Sequence, residues 1–296
     1  MQCWDNSTSL KNHIFSCLNQ LGLKPSKFRG QNFLIDANII NYQINKAEIN
    51  SNDVILEIGG GTGNITRCLA INAKKVYTIE QDYKFSNFLQ EYFSTYKNVE
   101  IITGDAIKVE WPKFTKCISN LPYQISSPVT FKLFNHEFEQ AILMYQKEFA
   151  ERMLALPNTK NYSRLSVMVN LYAKCEKLKN VRASSFYPAP KVESTIMKLK
   201  PIKTKLRADK EKEEYSVLIT TLFCHKNKNL GSVLSSLFKR KEKIGLGKYD
   251  GVIEKLPNVN RRIFSLSINE LLEVYYYLKK EVGEKEWFNI ISLNMD

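Results

Sequence analysis

Residues 53–63 read DVILEIGGGTG. DVILEIG (53–59) is a short apolar run ending in glycine, which predicts a buried strand. NITRCLAINA (64–73) follows at once with helical spacing. The same alternation continues outward. KVYTIE (75–80), VEIITGD (99–105), TKCISNLP (115–122) and QAILMYQ (140–146) read as strands, and DYKFSNFLQEYF (82–93), SPVTFKLF (127–134) and KEFAERMLAL (147–156) as helices. Strands alternating with helices predict an α/β fold, a largely parallel sheet covered on both faces.

The flanks are plainer. Residues 1–27 hold one amphipathic stretch, Leu10 to Leu21, and no continuous apolar run, so no secretory signal is expected. SRLSVMVNLY (163–172) is a helical patch, FYPAPKV (186–192) carries two prolines, and STIMKLKP (194–201) reads as a last strand. Beyond Pro201 the character changes. LRADKEKEEY (206–215) is strongly charged, and YSVLITTLF, GSVLSSLF and SINELLEVYYYL have helical periodicity. A boundary near 201–207 is the natural division, giving domains 1–203 and 204–296, the second smaller and helical.

The 296 residues are 44% apolar and 25% charged, which excludes collagen-like, disulfide-scaffold and mostly disordered chains. No apolar run approaches the ~18–20 residues of a membrane helix. Lys and Arg outnumber Asp and Glu by 43 to 30, net +13. The excess is uneven: residues 101–200 carry +7 and 201–260 carry +6, against +1 for 1–100 and −1 for 261–296. This distribution suits a polyanion such as nucleic acid, or merely reflects a Lys-rich composition of 34 Lys to 9 Arg. Cys3, Cys17, Cys68, Cys117, Cys175 and Cys224 stand far apart with no C-x-x-C pair, which predicts reduced thiols and no structural zinc. Three histidines (His13, His136, His225) leave little scope for a His-rich metal site.

The glycines 59, 60, 61 and 63 let the backbone turn sharply and admit a ligand close to the main chain. Their G-x-G-x-G spacing is not that of a dinucleotide-phosphate turn. Taken alone the turn is a weak signal. Two acids strengthen it. Glu80 ends the second strand, where a carboxylate can accept both ribose hydroxyls, and Asp105 ends the third, where one can accept an exocyclic adenine amine. Ligands of parallel sheets bind at the carboxyl ends of strands. Glycines, Glu and Asp at three such ends point to S-adenosyl-L-methionine.

Asn120-Leu121-Pro122-Tyr123 ends the fourth strand. An adenine amine is a poor nucleophile, because its lone pair is delocalised into the ring. The Asn120 side-chain oxygen and the Leu121 carbonyl can accept its hydrogens and favour a pyramidal, more nucleophilic nitrogen. Pro122 stiffens the turn. Tyr123 offers a stacking ring, worth ~1–3 kcal/mol per base. Asparagine accepts without placing a full charge in a desolvated pocket. Methyl transfer from a sulfonium needs little acid–base help, so orientation can supply much of the rate, in keeping with few histidines.

GQNFLID (30–36), EIGGGTGN (57–64), Glu80, GDA (104–106), NLPYQISSP (120–128) and SSFYPAPKVEST (184–195) resemble the ribosomal RNA adenine-N6 dimethyltransferases over about Gly30 to Leu230. NLPYQISSP, AILMYQKEFAERM (141–153) and HKNKNL (225–230) are more similar to the eukaryotic-type branch, which acts on small-subunit rRNA. The resemblance implies a Rossmann-like class I methyltransferase sheet with a smaller C-terminal α-helical, RNA-binding domain. It implies dimethylation of two adjacent adenosines near the 3′ end of that rRNA, and a role in small-subunit assembly.

It also implies roles residue by residue. Asn32 and Leu34 would line the cofactor entrance, and Gln31 would orient an N-terminal lid. Gly59 and Gly61 would face the methionine part, Glu80 the ribose, Asp105 and Ala106 the adenine. Asn120, with Leu121 and Pro122, would position cofactor and target amine. Tyr123 and Phe186 would cover the two faces of the target base. Gly60 stands where the family usually has proline, which predicts a looser loop, and position 32 is Asn where eukaryotic members often have His. After Leu230 the resemblance fades, and the fold there rests on periodicity.

Lys226, Lys228, Lys239, Arg240, Lys241 and Lys243 surround an apolar helical stretch and are expected to neutralise RNA phosphates. The implied partners are small-subunit rRNA and pre-ribosomal particles, bound by a chain that is monomeric off the ribosome, with no metal and no membrane. The implied location is the nucleolus and nucleus, with late pre-ribosomes in the cytoplasm. Two other readings stand beside this one: a non-catalytic assembly or transcription factor on the same fold, and a methyltransferase for DNA or another RNA. The intact NLPY turn and both acids weigh against the first, and FYPAPKVES with the basic helical region against the second.

Overall fold

Apolar runs with turn residues between them form nine strands in a computed structural model that describes residues 3–24, 32–206, 208–242, 250–283 and 287. These are β1 (Phe33–Leu34), β2 (Val54–Ile58), β3 (Lys75–Glu80), β4 (Val99–Thr103), β5 (Lys116–Asn120), β6 (Gln140–Gln146), β7 (Ala173–Val181), β8 (Phe186–Tyr187) and β9 (Ser194–Pro201). Seven of them make one sheet in the order β4-β3-β2-β5-β6-β9-β7, while β1 pairs with β8. The strands β4, β3, β2, β5 and β6 run parallel. β9 is antiparallel to both its neighbours. The order reverses between β2 and β5, so a crevice opens at their carboxyl ends.

The central strands are buried on both faces, which is why they read as continuous apolar runs. Ile55, Leu56, Ile58, Val76, Ile79, Cys117 and Ile118 are all buried. Helices Asn64–Asn72, Tyr83–Tyr92 and Ser126–Leu133 follow β2, β3 and β5. The expected strands 75–80, 140–146 and 194–201 coincide with those observed. Helix Ala37–Ala47 and strand β7 are the longest elements to escape the sequence reading. Helix Ala37–Ala47 is rich in asparagine, a weak helix former, and is held by burial of Ile39, Ile40 and Ile44 and by the Asp36 cap. Strand β7 is an edge strand with Lys174, Glu176, Lys177 and Lys179 exposed, so it lacks the apolar signature.

Cys3 and Cys68 form a disulfide, with Cα atoms 5.2 Å apart, which corrects the expectation of six reduced thiols. A separation of 65 residues conceals this pairing in the sequence. The other four cysteines are free.

The chain divides into two units, Met1–Ala150 with Ala173–Pro201, and Glu151–Tyr172 with Ile202–Asp296. The division after Pro201 lies beside the expected one at 203. The excursion 151–172 has no counterpart in the sequence reading. Helix Arg164–Tyr172 buries Leu165, Val167, Met168, Val169 and Leu171, and the Tyr162 hydroxyl donates to the Leu266 carbonyl at 2.9 Å. It belongs to the second unit with the partners it packs against. Helices Asp209–Phe223, Leu230–Glu242, Asp250–Glu254 and Ile268–Val282 complete that unit. The last is capped by Ser267 and Glu270, each side chain bonding the other's backbone N–H.

One buried ion pair anchors β5. The Lys116 ammonium donates to Asp53 Oδ2 and to the Glu48 carbonyl, both at 2.8 Å. Asp53 also accepts from Asn50 N–H at 2.7 Å and the Thr115 hydroxyl at 3.0 Å. Burial raises the Asp53 pKa, but Lys116 and these donors outweigh it and hold the carboxyl below its ordinary value. Its stabilisation is therefore present above the unfolded pKa of ~3.9 and is lost as pH falls through the lower folded value. Lys116→Met should destabilise the protein by about 3–5 kcal/mol at pH 7, because it strands a buried carboxylate. The loss should shrink as pH falls through the depressed folded value. Urea unfolding at both pH values measures this, and an unshifted midpoint at pH 7 would refute the assignment.

Candidate functional site

The carboxyl ends of β2, β3 and β5 face a cavity of about 1100 Å³, lined among others by Gly59, Glu80, Ala106, Asn120, Tyr123 and Phe186. The glycine loop is fastened at both strands. Gly59 N–H donates to the Ile79 carbonyl at 2.7 Å, and Gly61 N–H to Glu80 Oε2 at 2.8 Å. Glu80 Oε1 accepts from Asp82 N–H at 2.8 Å. Gly59 has φ +81, and a Cβ there would lie 3.4 Å from Pro122 Cδ. The glycine loop and the Asn-Leu-Pro-Tyr turn thus lie side by side, with little more than a methyl's width between them.

Burial raises the pKa of Glu80, and its backbone donors oppose that. A second acid, Glu57, carries no signal in the sequence. It is 1% exposed and its Oε2 accepts from the Thr66 hydroxyl at 2.6 Å and the Thr78 hydroxyl at 2.9 Å. Burial pushes its carboxyl up to about 8 against those two hydroxyls. Both acids line the cavity.

Asn120 closes β5 opposite Met144. Its Oδ1 is buried with no hydrogen-bond partner among the described residues. Leu121 is buried, and Pro122 sits at φ −56. Tyr123 begins a short helical turn through Ile125, and its hydroxyl lies 2.6 Å from Ser194 Oγ. Burial raises the phenol pKa, with Ser194 opposing, so the ring is neutral. Phe186 is 5% exposed and lines the same cavity from β8. The pairing of Leu34 with Phe186 brings an expected cofactor residue beside an expected base-covering one. Asn32 and Leu34 also line the cavity.

Asp105 is not among the residues that line the cavity. Gly104 and Ala106 line the cavity, while Asp105 Oδ1 accepts from Ile107 N–H at 2.9 Å. Gln31 and Lys243 lie outside the described residues, as do the side chains of Arg240 and Lys241, whose backbone is in helix Leu230–Glu242. In the second unit Lys228 and Lys239 are exposed. Lys226 donates to the carbonyls of Lys160 and Tyr162 at 3.0 and 3.1 Å, so its ammonium serves the fold. Besides Glu57, the sequence reading missed Ser194 and Lys132. Neither has a spacing signal, because each acts through a contact between distant segments.

The expectation of a looser loop at Gly60 is corrected by packing. A Cβ on Gly60 would overlap Thr78 Cγ2 and approach Leu89 Cδ1 to 2.8 Å. Glycine is required because these buried side chains fill the space.

Residues 22–279 match the family described as ribosomal RNA adenine dimethylase, well beyond the expected end of the resemblance at Leu230. A probable ribosomal RNA small subunit methyltransferase A of Thermococcus gammatolerans is 44% identical over 273 residues, covering 91% of this chain and 95% of that protein. Its counterpart in Methanococcus maripaludis is 40% identical over 269 residues, covering 89% and 100%. The crystal structure of a dimethyladenosine transferase from Plasmodium falciparum is similar with TM-score 0.74 and 37% identity, covering 84% of this chain and 98% of that one. That of the 23S rRNA methyltransferase ErmE has TM-score 0.61 and 26% identity, covering 84% and 100%. The expectation of a nucleolar and nuclear location is overturned by these relatives, since Thermococcus and Methanococcus are archaea and have no nucleus.

Gly60→Ala should destabilise the protein by about 1–3 kcal/mol through overpacking. Adding Thr78→Ser removes the opposing methyl, keeps the hydroxyl on Glu57, and should restore most of the loss in urea unfolding. A double variant no more stable than Gly60→Ala would mean that the space is limited elsewhere.

Proposed function

The chain belongs to the ribosomal RNA adenine dimethylase family, and on that premise we propose that it dimethylates N6 of two adjacent adenosines near the 3′ end of small-subunit rRNA, on pre-ribosomal particles. It is an rRNA adenine dimethyltransferase on a Rossmann-like sheet. When bound, S-adenosyl-L-methionine supplies an activated methyl group on its sulfonium. The cavity residues suit that molecule. Glycine backbone at positive φ lies beside Pro122, the Glu80 carboxyl stands on the wall, and Asn120 presents an unpaired amide oxygen.

In this reading Gly59 and Gly61 hold the methionine part, Glu80 the ribose hydroxyls, and Asp105 with Ala106 the adenine. Asn32 and Leu34, with Gln31, form the entrance. Asn120 Oδ1 and the Leu121 carbonyl accept the hydrogens of the target amine, and Pro122 fixes the spacing of these acceptors. Tyr123 and Phe186 enclose the base, which must leave its stack to reach them. The residues need hold no strong base, because the nitrogen loses its proton after it has become cationic. The single observation that carries the reading is the buried Asn120 Oδ1 without a partner, beside Tyr123 in the cavity.

The second unit is the proposed RNA-binding part. Exposed Lys228 and Lys239, with Arg240, Lys241 and Lys243, would neutralise phosphates, and Lys226 would support them from within. The chain would act as a monomer off the ribosome and would serve assembly of the small subunit as well as its modification.

Asn120→Ala should lower methyl transfer to small-subunit particles by about 10²-fold or more, as loss of a positioned polar group at a reacting centre does, with an unchanged urea midpoint. Mass spectrometry of the rRNA is the readout, and wild-type levels of dimethyladenosine would remove Asn120 from the chemistry. Lys228→Gln with Lys239→Gln should flatten the salt dependence of RNA binding by about 0.7 for each phosphate no longer neutralised. An unaltered slope would move the RNA face elsewhere.

A further inference from the structure

Helix Ser126–Leu133 leaves the catalytic turn directly, and its last turn carries Lys132. The Lys132 ammonium donates to the carbonyls of Ala106 at 3.0 Å, Ile107 at 2.9 Å and Val109 at 2.5 Å. An ammonium has three protons, and all three go to one short turn. Trp111 closes the arrangement. Its indole N–H donates to the same Ala106 carbonyl at 2.8 Å, and the Lys132 ammonium lies 5.0 Å from the centre of its ring.

Asp105 belongs to that turn. Its carbonyl accepts from the N–H groups of Lys108 and Val109 at 2.9 Å each, and its Oδ1 from Ile107 N–H. Any shift of residues 106–109 therefore moves the carboxylate. Burial lowers the Lys132 pKa and the nearby Asp105 charge opposes this. Lys132 is not among the residues lining the cavity.

We propose that Lys132 is a positioning residue, a three-pronged tie that fixes the loop of Asp105 to the helix issuing from Asn120–Tyr123. One rigid element of eight residues, ~12 Å long at 1.5 Å per residue, then carries the target-amine acceptors at one end and the adenine loop at the other. Cofactor and target base are held in one frame, and a displacement of either is passed to the other. The proposal rests on the reading of Asp105 as the adenine acceptor.

The test is calorimetric titration of S-adenosylhomocysteine into the wild type, Asp105→Ala, Lys132→Met and the double variant. Lys132→Met keeps an apolar stem against Trp111 and removes all three donors. It should weaken binding about tenfold, the equivalent of about one hydrogen bond to a charged group. Because it acts through Asp105, the double variant should bind within about twofold of Asp105→Ala alone, since coupled sites are non-additive. A merely structural lysine would give losses that multiply. Multiplying losses, or a Lys132→Met affinity within about twofold of wild type beside a weakened Asp105→Ala, would overturn the proposal alone. An unchanged Asp105→Ala affinity would instead remove the adenine assignment and the proposal with it. If Lys132→Met does not fold, Lys132→Gln, with a shorter single donor arm, is judged by the same two comparisons.

Discussion

The carboxylate of Glu80 is the joint on which the cavity turns. One oxygen takes the N–H of Gly61 and the other that of Asp82, so the loop from β2 and the start of the helix after β3 are tied to a single side chain. Charge-assisted hydrogen bonds of this kind are about twice as strong as neutral ones. Below the loop, Glu57 is pinned by hydroxyls from Thr66 and Thr78, one on the following helix and one on the neighbouring strand. The glycine loop therefore cannot shift without breaking its bonds to Ile79 and Glu80 of β3. Pro122 lies close beside it, so the Asn120–Tyr123 turn is packed against a fixed loop.

Two acids side by side in a buried place are costly, and each raises the other's tendency to hold a proton. Glu57 shows the effect, since the charge of Glu80 adds to the push from burial. With Glu57 mostly protonated at neutral pH, Glu80 is left as the acid of this wall, which is poorly matched to an anion. It also explains the neutral amide at position 120: a third carboxylate would have deepened the imbalance and competed for a proton. The phenol of Tyr123, held neutral by burial, completes a target face without charge.

The parallel strands were legible because burial on both faces writes them as unbroken apolar runs. The cavity lining was legible for a related reason: ligand crevices open at strand ends, and Gly59, Glu80 and Asn120, which line the cavity, each end or follow a strand. What escaped depends on tertiary contact. β7 lies at the sheet edge and carries lysines. Helix Ala37–Ala47 has poor propensity and is held by packing. Residues 151–172 left their sequence neighbours because they pack on later parts of the chain, as in the ring contact of Tyr162 with Phe223 and the hydrogen bond of Tyr162 to Leu266. Glu57, Ser194 and Lys132 have no signature, for a single polar residue reads as surface until its partners are known. Gly60 shows the opposite error. A departure from the family pattern looked like looseness, while Thr78 and Leu89 had filled the space.

The strongest argument for the catalytic turn is an imbalance in hydrogen bonding. Asn64, at the start of the helix after the glycine loop, has its Oδ1 satisfied by the Thr62 hydroxyl at 2.9 Å. Asn180 likewise accepts from the Thr195 hydroxyl. Those amides are explained by the fold. The Asn120 oxygen is buried and has no such donor among the described residues, which costs about 1–3 kcal/mol. A fold that gained nothing from this position would accommodate an apolar side chain there with less strain. An adenine amine would supply the missing donor, and does so best when its nitrogen pyramidalises toward the oxygen. The energy withheld in the free protein is thus returned as the nitrogen approaches its reactive shape, which is how a binding interaction becomes a catalytic one.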